Sequence, residues 1–203
     1  MNIAKLPIHP AQYLPYLTIA VLAVVCTLFI APEAKSWLTL STNGPVLSQW
    51  WTLITKHFLH TNNMHLIVNL VGLFLVWMLY GDYFLSQSSI LRFTLLFFSL
   101  CILTSLFTLY FSTNDGNFIG LSGVLHGLFL WGVVQDIRMR MATGILLLAG
   151  LLFKLGQEQF FEDSAFMANI INADVAVDAH LYGAISGLLL GVLVPSQVNR
   201  HTP

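Results

Sequence analysis

The stretch AHLYGAISGLLLG, residues 179–191, combines an apolar run with a small residue at every fourth position. The small residues are Ala179, Gly183, Gly187 and Gly191. Because residues four apart share one face of a helix, this spacing indicates a membrane helix that a second backbone can approach closely. The run also carries His180. An ionisable group in a membrane span is costly, so this histidine is a candidate functional residue.

A second stretch, GLSGVLHG at residues 120–127, repeats the small-residue spacing with Gly123 and Gly127. One small face therefore lies beside Ser122 and the other beside His180. We expect the two helices to pack together through these faces and to bring the serine hydroxyl to the imidazole. A hydroxyl beside an imidazole is typical of nucleophilic catalysis, in which the base removes the proton as the oxygen attacks a carbonyl.

Two further polar residues, His65 and Asn69, share one face of another apolar segment. Their side-chain N–H groups can stabilise the oxyanion of a tetrahedral intermediate, and the backbone N–H of Ser122 is a third candidate donor. Asp178 lies two residues from His180 and points to another face of the helix. We therefore predict a Ser–His dyad without an acid. The simpler alternative is that each polar residue only hydrogen-bonds its own helix or a neighbouring one.

The composition is that of a polytopic membrane protein. Of 203 residues, 57% are hydrophobic and 8% are charged, whereas soluble domains carry roughly 25% charged residues. The net charge of −1 offers no basic face for nucleic acid. Apolar windows that can cross about 30 Å of hydrocarbon predict an all-α fold of six spans in a single domain, residues 1–203. The predicted spans are residues 14–31, 64–81, 92–112, 120–136, 139–156 and 179–195.

Six spans place both termini on one side of the membrane. The basic residues on that side are Lys5, Arg92, Arg138, Arg140 and Arg200. Those on the other side are Lys35, Lys56 and Lys154. The positive-inside rule therefore predicts cytoplasmic termini and places Ser122 near the outer side. Residues 157–178, with five acidic residues, are predicted to form an outer loop, either an amphipathic cap or a solvated connection.

Four segments resemble motifs of the rhomboid intramembrane serine proteases. Residues 120–123, GLSG, resemble the nucleophile motif GxSG of that family. Residues 179–187 match its AHxxGxxxG pattern, and residues 65–69, HLIVN, match its HxxxN motif. Residues 51–60 resemble the WRxxT…H pattern of its first loop. The resemblance covers most of the chain.

The resemblance implies a six-span rhomboid core with Ser122 as nucleophile and His180 as base. It implies no metal and no cofactor. Gly120 and Gly123, which flank the serine within the motif, are accessory candidates. Thr52 stands where the family usually has an arginine that stabilises the first loop, so this departure concerns the rigidity of the loop more than the chemistry.

His126 stands where many rhomboids have an aromatic residue that packs on the catalytic histidine. It could stack on His180, bind the substrate backbone or compete as a second base, and we favour stacking. Residues 120–127 are also similar to the signature of the rhombosortases, a bacterial subgroup linked to secreted proteins with a Gly-Gly C-terminal tail. This likeness implies an enzyme of the bacterial inner membrane whose site opens to the periplasmic side. Its expected partners are transmembrane substrates with that tail and membrane lipid.

Two other functions stay open, beside a transporter, which is disfavoured because the spans lack the expected charged residues and broken inverted repeats. His57, His60 and His65 form an H-x2-H-x4-H pattern that His126 and His180 could join, and neutral imidazoles suit zinc. A membrane zinc hydrolase is therefore a rival, although the chain has no HExxH motif. The second rival is a rhomboid-like protein that binds clients without cleaving them. Such relatives usually lack the serine or the histidine, and this chain has both.

Overall fold

The computed structural model describes residues 8–39, 46–84, 89–112, 118–160 and 165–196. All regular secondary structure within these residues is helical. In chain order the α-helices are α1 (Pro10–Leu28), α2 (Pro32–Leu38), α3 (Thr52–Thr55), α4 (Asn63–Tyr80), α5 (Ser89–Phe111), α6 (Ser122–Arg138), α7 (Ala142–Phe160), α8 (Ala165–Ile171) and α9 (Val177–Leu193). Short 3₁₀ turns cover Val46–Gln49, Lys56–Phe58 and Gly81–Phe84.

Three helices in the described part of the chain are long and apolar enough to cross a membrane. They are α1, α4 with its extension to Phe84, and α5, while the apolar helix α9 is 17 residues long. Helices occupy all six predicted spans, with ends within four residues of the predicted ones. That all six cross the membrane, with cytoplasmic termini, stays a prediction. Lys5 and Arg200, which the charge count used, lie outside the described residues.

Helix α6 forms the centre of the bundle and contacts α4, α5, α7 and α9. Its side chains are buried on every side, as expected for a helix that is apolar all round. Val124, Leu128, Trp131 and Val133 are each at most 2% exposed. The first residue of this central helix is Ser122, so the fold holds the serine against neighbours on several sides.

Helices α6 and α9 run parallel and touch through their small residues. A Cβ atom on Gly183 or Gly187 would overlap the carbonyl oxygen of Gly123 or Gly127. In the other direction, a Cβ on Gly123 would lie 2.7 Å from the carbonyl oxygen of Ala179. The prediction that these two small faces pack together is confirmed. The contact sets the first turns of the two helices side by side.

The prediction that residues 157–178 form an outer loop is partly wrong. Residues 157–160 form the last turn of α7, and Glu158 is buried there. The helix continues past the predicted end, and Lys154 and Glu158, four residues apart, form an ion pair on its last turns. Helix α8 follows at residues 165–171. Two other acids of the predicted loop, Glu162 and Asp163, lie outside the described residues.

The first loop is held by hydrogen bonds that do not need an arginine. The hydroxyl of Thr52, fully buried, donates to the carbonyl oxygen of Gln49 at 2.6 Å. The hydroxyl of Thr55 donates to the carbonyl oxygen of Leu38 at 2.9 Å. The loop also reaches the serine segment, because its Lys56 carbonyl oxygen accepts a hydrogen bond from the backbone N–H of Gly120 at 3.1 Å.

Candidate active site

Ser122 and His180 meet at the start of two parallel helices. The Ser122 Oγ and the His180 Nε2 are 2.9 Å apart, a hydrogen-bond distance. Ser122 is the first residue of α6 and His180 lies in the first turn of α9. The close α6–α9 packing therefore brings the hydroxyl to the imidazole, as the sequence predicts. This end of the bundle, where α6 and α9 begin, is called the site end below.

The other ring nitrogen of His180 faces a carboxylate. Glu158 places its Oε2 at 3.0 Å and its Oε1 at 3.1 Å from the His180 Nδ1. A carboxylate can only accept, so Nδ1 carries the hydrogen and Nε2 turns its lone pair to the Ser122 hydroxyl. The prediction that no acid lies beside His180 is wrong. The carboxylate of Asp178, the acid weighed from the sequence, accepts a hydrogen bond from the hydroxyl of Ser112.

The sequence carried one signal for Glu158 that the prediction missed. Lys154 lies four residues earlier, and its Nζ is 2.5 Å from the Glu158 Oε1. Residues four apart lie on one face of a helix, so this pair indicates that α7 continues at least to Glu158. The two side chains differ in exposure, 44% for Lys154 and 6% for Glu158. The lysine can reach water, whereas the carboxylate is enclosed next to the histidine.

His126 stacks on His180. The two ring centroids are 4.3 Å apart and the ring planes differ by 15°. The Nδ1–H of His126 donates to the carbonyl oxygen of Ser122 at 2.7 Å, which fixes the ring in this orientation. The structure thus places His126 as the favoured stacking hypothesis requires. Its contribution to any reaction stays a prediction.

The proposed oxyanion donor His65 has a defined orientation. Its Nδ1 lies 3.0 Å from the Thr61 Oγ1 and 3.5 Å from the Thr61 backbone nitrogen. Because a backbone N–H can only donate, Nδ1 is the acceptor and Nε2 carries the hydrogen. The Nε2 edge faces Gly120, where a Cβ atom would lie 2.8 Å away. Gly120 has a φ of +120°, so both its backbone and this contact require glycine.

The other two proposed donors lie close by. The Asn69 side chain donates one N–H to the carbonyl oxygen of His65 at 2.9 Å and keeps a second N–H. Ser122 opens α6, and the N–H groups of a first helical turn have no intrahelical acceptor. The side chains of His65 and Asn69 line the same cavity as Ser122. The structure therefore brings the residues of the three predicted donors to one cavity.

This cavity has a volume of about 1210 Å³. Residues of α4 and α7 form its sides, and residues 173–180 border the site end. Its lining is mostly apolar, and several α4 and α7 lining side chains are at least 39% exposed at the bundle surface: Leu75, Met78, Leu79 and Leu146. The cavity thus joins Ser122 to an apolar outer surface of the bundle. An apolar segment could approach the serine from that side.

The histidine pattern that suggested zinc does not assemble. The His57 Nε2 lies 3.0 Å from the Ser105 Oγ and 3.1 Å from the carbonyl oxygen of Cys101. The His60 Nδ1 lies 3.0 Å from the Thr27 Oγ1. Burial lowers the pKa of His57 to about 3 and that of His60 to about 3, so both are neutral. Both nitrogens of the His57 ring are engaged, which contradicts a zinc site at His57, whereas the His60 Nε2 has no hydrogen-bond partner among the described residues and its ring lies against that of His65.

A different group could hold a metal ion. Among the described residues, His126, Glu158 and His180 each offer a ligand atom within 4.8 Å of the others. The stacked rings oppose this use, because nitrogen lone pairs lie in the ring planes and parallel planes do not point at one ion. Both nitrogens of His180 are also engaged, by Ser122 and by Glu158.

Residues 47–197 match the family described as "Rhomboid domain". The chain belongs to the rhomboid family. The matched range includes every predicted site residue and Glu158. A protein of Bacillus subtilis (strain 168) named "Putative rhomboid protease YdcA" is 27% identical over 166 residues, which cover 78% of this chain and 74% of that protein. Together with the apolar helices α1, α4 and α5, membership of the rhomboid family makes the chain an integral membrane protein.

Proposed function

We propose that this rhomboid is an intramembrane serine protease with Ser122 as nucleophile and His180 as general base. One observation carries the proposal: the 2.9 Å contact between the Ser122 Oγ and the His180 Nε2 at the wall of an apolar cavity. An apolar cavity that opens on the apolar surface of the bundle suits a substrate that approaches the serine as a transmembrane segment. Family membership and the name of the Bacillus subtilis relative support a protease.

The His180 Nε2 carries the proton transfers of the proposed reaction. The His180 Nε2 takes the proton of Ser122 as the Oγ attacks the carbonyl carbon of the scissile peptide. The protonated ring then gives this proton to the leaving nitrogen, the C–N bond breaks and an acyl-enzyme remains. A water molecule gives a proton to Nε2 and attacks the ester. This second tetrahedral intermediate collapses as the bond between its carbon and the Ser122 Oγ breaks, which releases the new carboxyl terminus, and the ring returns the proton to the Oγ.

Negative charge forms on the carbonyl oxygen during each attack. The backbone N–H of Ser122, the free N–H of Asn69 and the Nε2–H of His65 are the donors that would meet it. Hydrogen bonds of this kind stabilise the transition state more than the substrate, because the charge develops only there. Their common position on the cavity wall supports this role.

We further infer that the substrates carry a Gly-Gly C-terminal tail and that the enzyme is a rhombosortase of the bacterial inner membrane. The support is the likeness of residues 120–127 to the rhombosortase signature and the stacking of His126 on His180. With the six spans that the apolar windows predict, the excess of basic residues on the side of the termini favours cytoplasmic termini and a periplasmic opening of the site. A Gly-Gly motif on the outer side of its span would then reach Ser122.

The test is a cleavage assay in proteoliposomes with two matched substrates. One carries a Gly-Gly motif, an apolar span and a basic end, and the other replaces Gly-Gly by Leu-Leu. We expect cleavage of the first, loss of cleavage with Ser122→Ala, and no effect of EDTA because the dyad uses no metal. Equal cleavage of both substrates would contradict the Gly-Gly preference. Loss of activity on chelation, restored by zinc, would favour the zinc hydrolase, and binding without cleavage would favour the client-binding protein.

A further inference from the structure

We propose that Glu158 is a positioning residue that holds His180 for catalysis, so that α6, α7 and α9 each supply one member of a Ser–His–Glu triad. This inference rests on the protease function proposed above. It extends the two-residue mechanism by a third group that the family motifs in the sequence do not include. The group comes from the end of α7, far from the motifs in sequence and adjacent to them in space.

The contacts are those that a positioning carboxylate must make. Both oxygens of Glu158 lie within 3.1 Å of the His180 Nδ1, while the Nε2 at the opposite side of the ring bonds Ser122. In this arrangement the carboxylate selects the tautomer that can accept the serine proton. It also stabilises the imidazolium that forms after the transfer, as the aspartate does in the Ser–His–Asp template.

A purely structural ion pair with Lys154 does not explain the position of Glu158. The Lys154 side chain is 44% exposed, and an exposed partner contributes little to stability. The Glu158 side chain is 6% exposed, and enclosing a carboxylate is unfavourable unless its oxygens are well paired. A Lys–Glu pair that served only stability would be expected at the surface, where the carboxylate keeps its hydration. The enclosed carboxylate with both oxygens near one imidazole nitrogen is expected of a residue that orients that ring.

The neighbouring groups fit the same assignment. His126 covers one face of the His180 ring and Glu158 holds its edge, so the ring is constrained in both directions. On α7, Leu151 and Leu155 are buried on the same side as Glu158, which fixes the helix against the bundle. Lys154 balances the charge of the carboxylate through its ion pair with the Glu158 Oε1. The ion pair favours the ionised form of the Glu158 carboxylate, and both of its oxygens face the His180 Nδ1.

The first experiment compares Glu158→Gln with the matched control Glu33→Gln, an exposed glutamate in the first turn of α2. The amide keeps the shape of the side chain but can donate to Nδ1 and so favour the wrong tautomer. We expect kcat to fall on the order of 10²–10⁴-fold with KM little changed, since the equivalent amide change in the Ser–His–Asp template costs about 10⁴. Glu33→Gln should match the wild type.

The second experiment does not depend on how the variant folds. Histidine labelled with ¹⁵N in the wild-type protein and in Ser122→Ala reports which His180 nitrogen carries hydrogen, with the signal assigned by its loss in His180→Ala. We expect hydrogen on Nδ1 in both proteins. Hydrogen on Nε2, or a folded Glu158→Gln with wild-type kcat, would overturn the proposal. Wild-type cleavage by Ser122→Ala would instead contradict the proposed serine mechanism. The tautomer measurement would then still show whether Glu158 holds the hydrogen on the His180 Nδ1.

Discussion

The two ends of the α6–α9 pair use polar side chains differently. At the site end, the Ser122 hydroxyl and the His180 ring bond each other and border a cavity. At the opposite end, the Gln135 side chain donates to the carbonyl oxygen of Gly191 at 3.0 Å and accepts from the backbone N–H of Ser196 at 2.9 Å. The same two helices thus carry polar groups at both ends.

The difference lies in the partners. Gln135 satisfies backbone groups at the end of α9, and Trp131 does the same by donating to the carbonyl oxygen of Val194 at 3.0 Å. Such bonds hold helices together and leave no reactive group free. At the site end, the partners are side chains whose protons can move. At the opposite end Tyr83 also donates to Asp136, but both side chains are buried, so the Ser122–His180 pair is distinguished by its position at the large apolar cavity.

The largest expected effect is at the site end. Ser122→Ala and His180→Ala should each abolish cleavage, and the double variant should be no worse, because residues that act as one unit lose activity non-additively. Cleavage of a transmembrane substrate in proteoliposomes measures this. Thermal unfolding in detergent is the control and should change little. A double variant that is clearly worse than either single one would contradict the shared step.

The next effect concerns the oxyanion donors. Asn69→Ala and His65→Ala should each lower kcat on the order of 10²–10³-fold without abolishing cleavage, because one of three donors is lost. A matched control is Ser186→Ala on α9, whose hydroxyl only donates to the Tyr182 carbonyl oxygen four residues earlier at 2.7 Å. That variant should cleave at the wild-type rate. Unchanged kcat in both donor variants would remove the oxyanion role.

A smaller effect is expected at His126. The variant His126→Tyr keeps an aromatic ring over His180 and should retain much of the activity, whereas His126→Ala removes the stacking and should cost more. Rates on the Gly-Gly substrate and on the Leu-Leu substrate distinguish packing from substrate recognition. If tyrosine were as damaging as Ser122→Ala on both substrates, His126 would take part in the proton transfers.

The opposite end should respond in stability and not in catalysis. Gln135→Leu leaves the Gly191 carbonyl oxygen and the Ser196 N–H without this partner, which costs about 1–3 kcal/mol when the group is buried. We expect a lower unfolding temperature in detergent with kcat unchanged. A large loss of kcat at normal stability would break the contrast between the two ends.

The effect least connected with catalysis is a pH dependence of stability at Lys56. Its ammonium lies 3.5 Å from the centroid of the Phe118 ring, and burial lowers the pKa of Lys56 from 10.5 to about 7. The unfolded chain therefore binds more protons than the folded one above pH 7, so stability rises with pH between about 7 and 10. Unfolding temperatures at pH 7 and 9 should show this rise in the wild type and less of it in Lys56→Met. An equal rise in both would exclude Lys56 as its source.

The pairing of Ser122 with His180 could be predicted because it depends on local spacing. Small residues four apart identify a helix face, and two such faces can only meet by close backbone contact. The first-turn positions of the two residues then decide their distance. No long-range information is needed beyond the packing of one helix pair.

Glu158 and His57 could not be placed in the same way. The last turn of α7 packs against the bundle through buried residues, whereas the span predicted from hydropathy, residues 139–156, ends before Glu158. His57 lies in the 3₁₀ turn Lys56–Phe58, whose geometry turns its ring toward Ser105 on α5. The spacing of histidines along the chain does not determine where their rings point, so the H-x2-H-x4-H pattern did not predict a zinc site correctly.

The most direct test of the central claim is labelling with a fluorophosphonate, which reacts with an activated serine hydroxyl. Peptide mass mapping of the labelled wild-type protein should find the adduct on Ser122. The adduct should be absent from Ser122→Ala and strongly reduced in His180→Ala, while Gln135→Leu should be labelled like the wild type. Labelling at another residue, or equal labelling of His180→Ala, would contradict a serine nucleophile activated by His180.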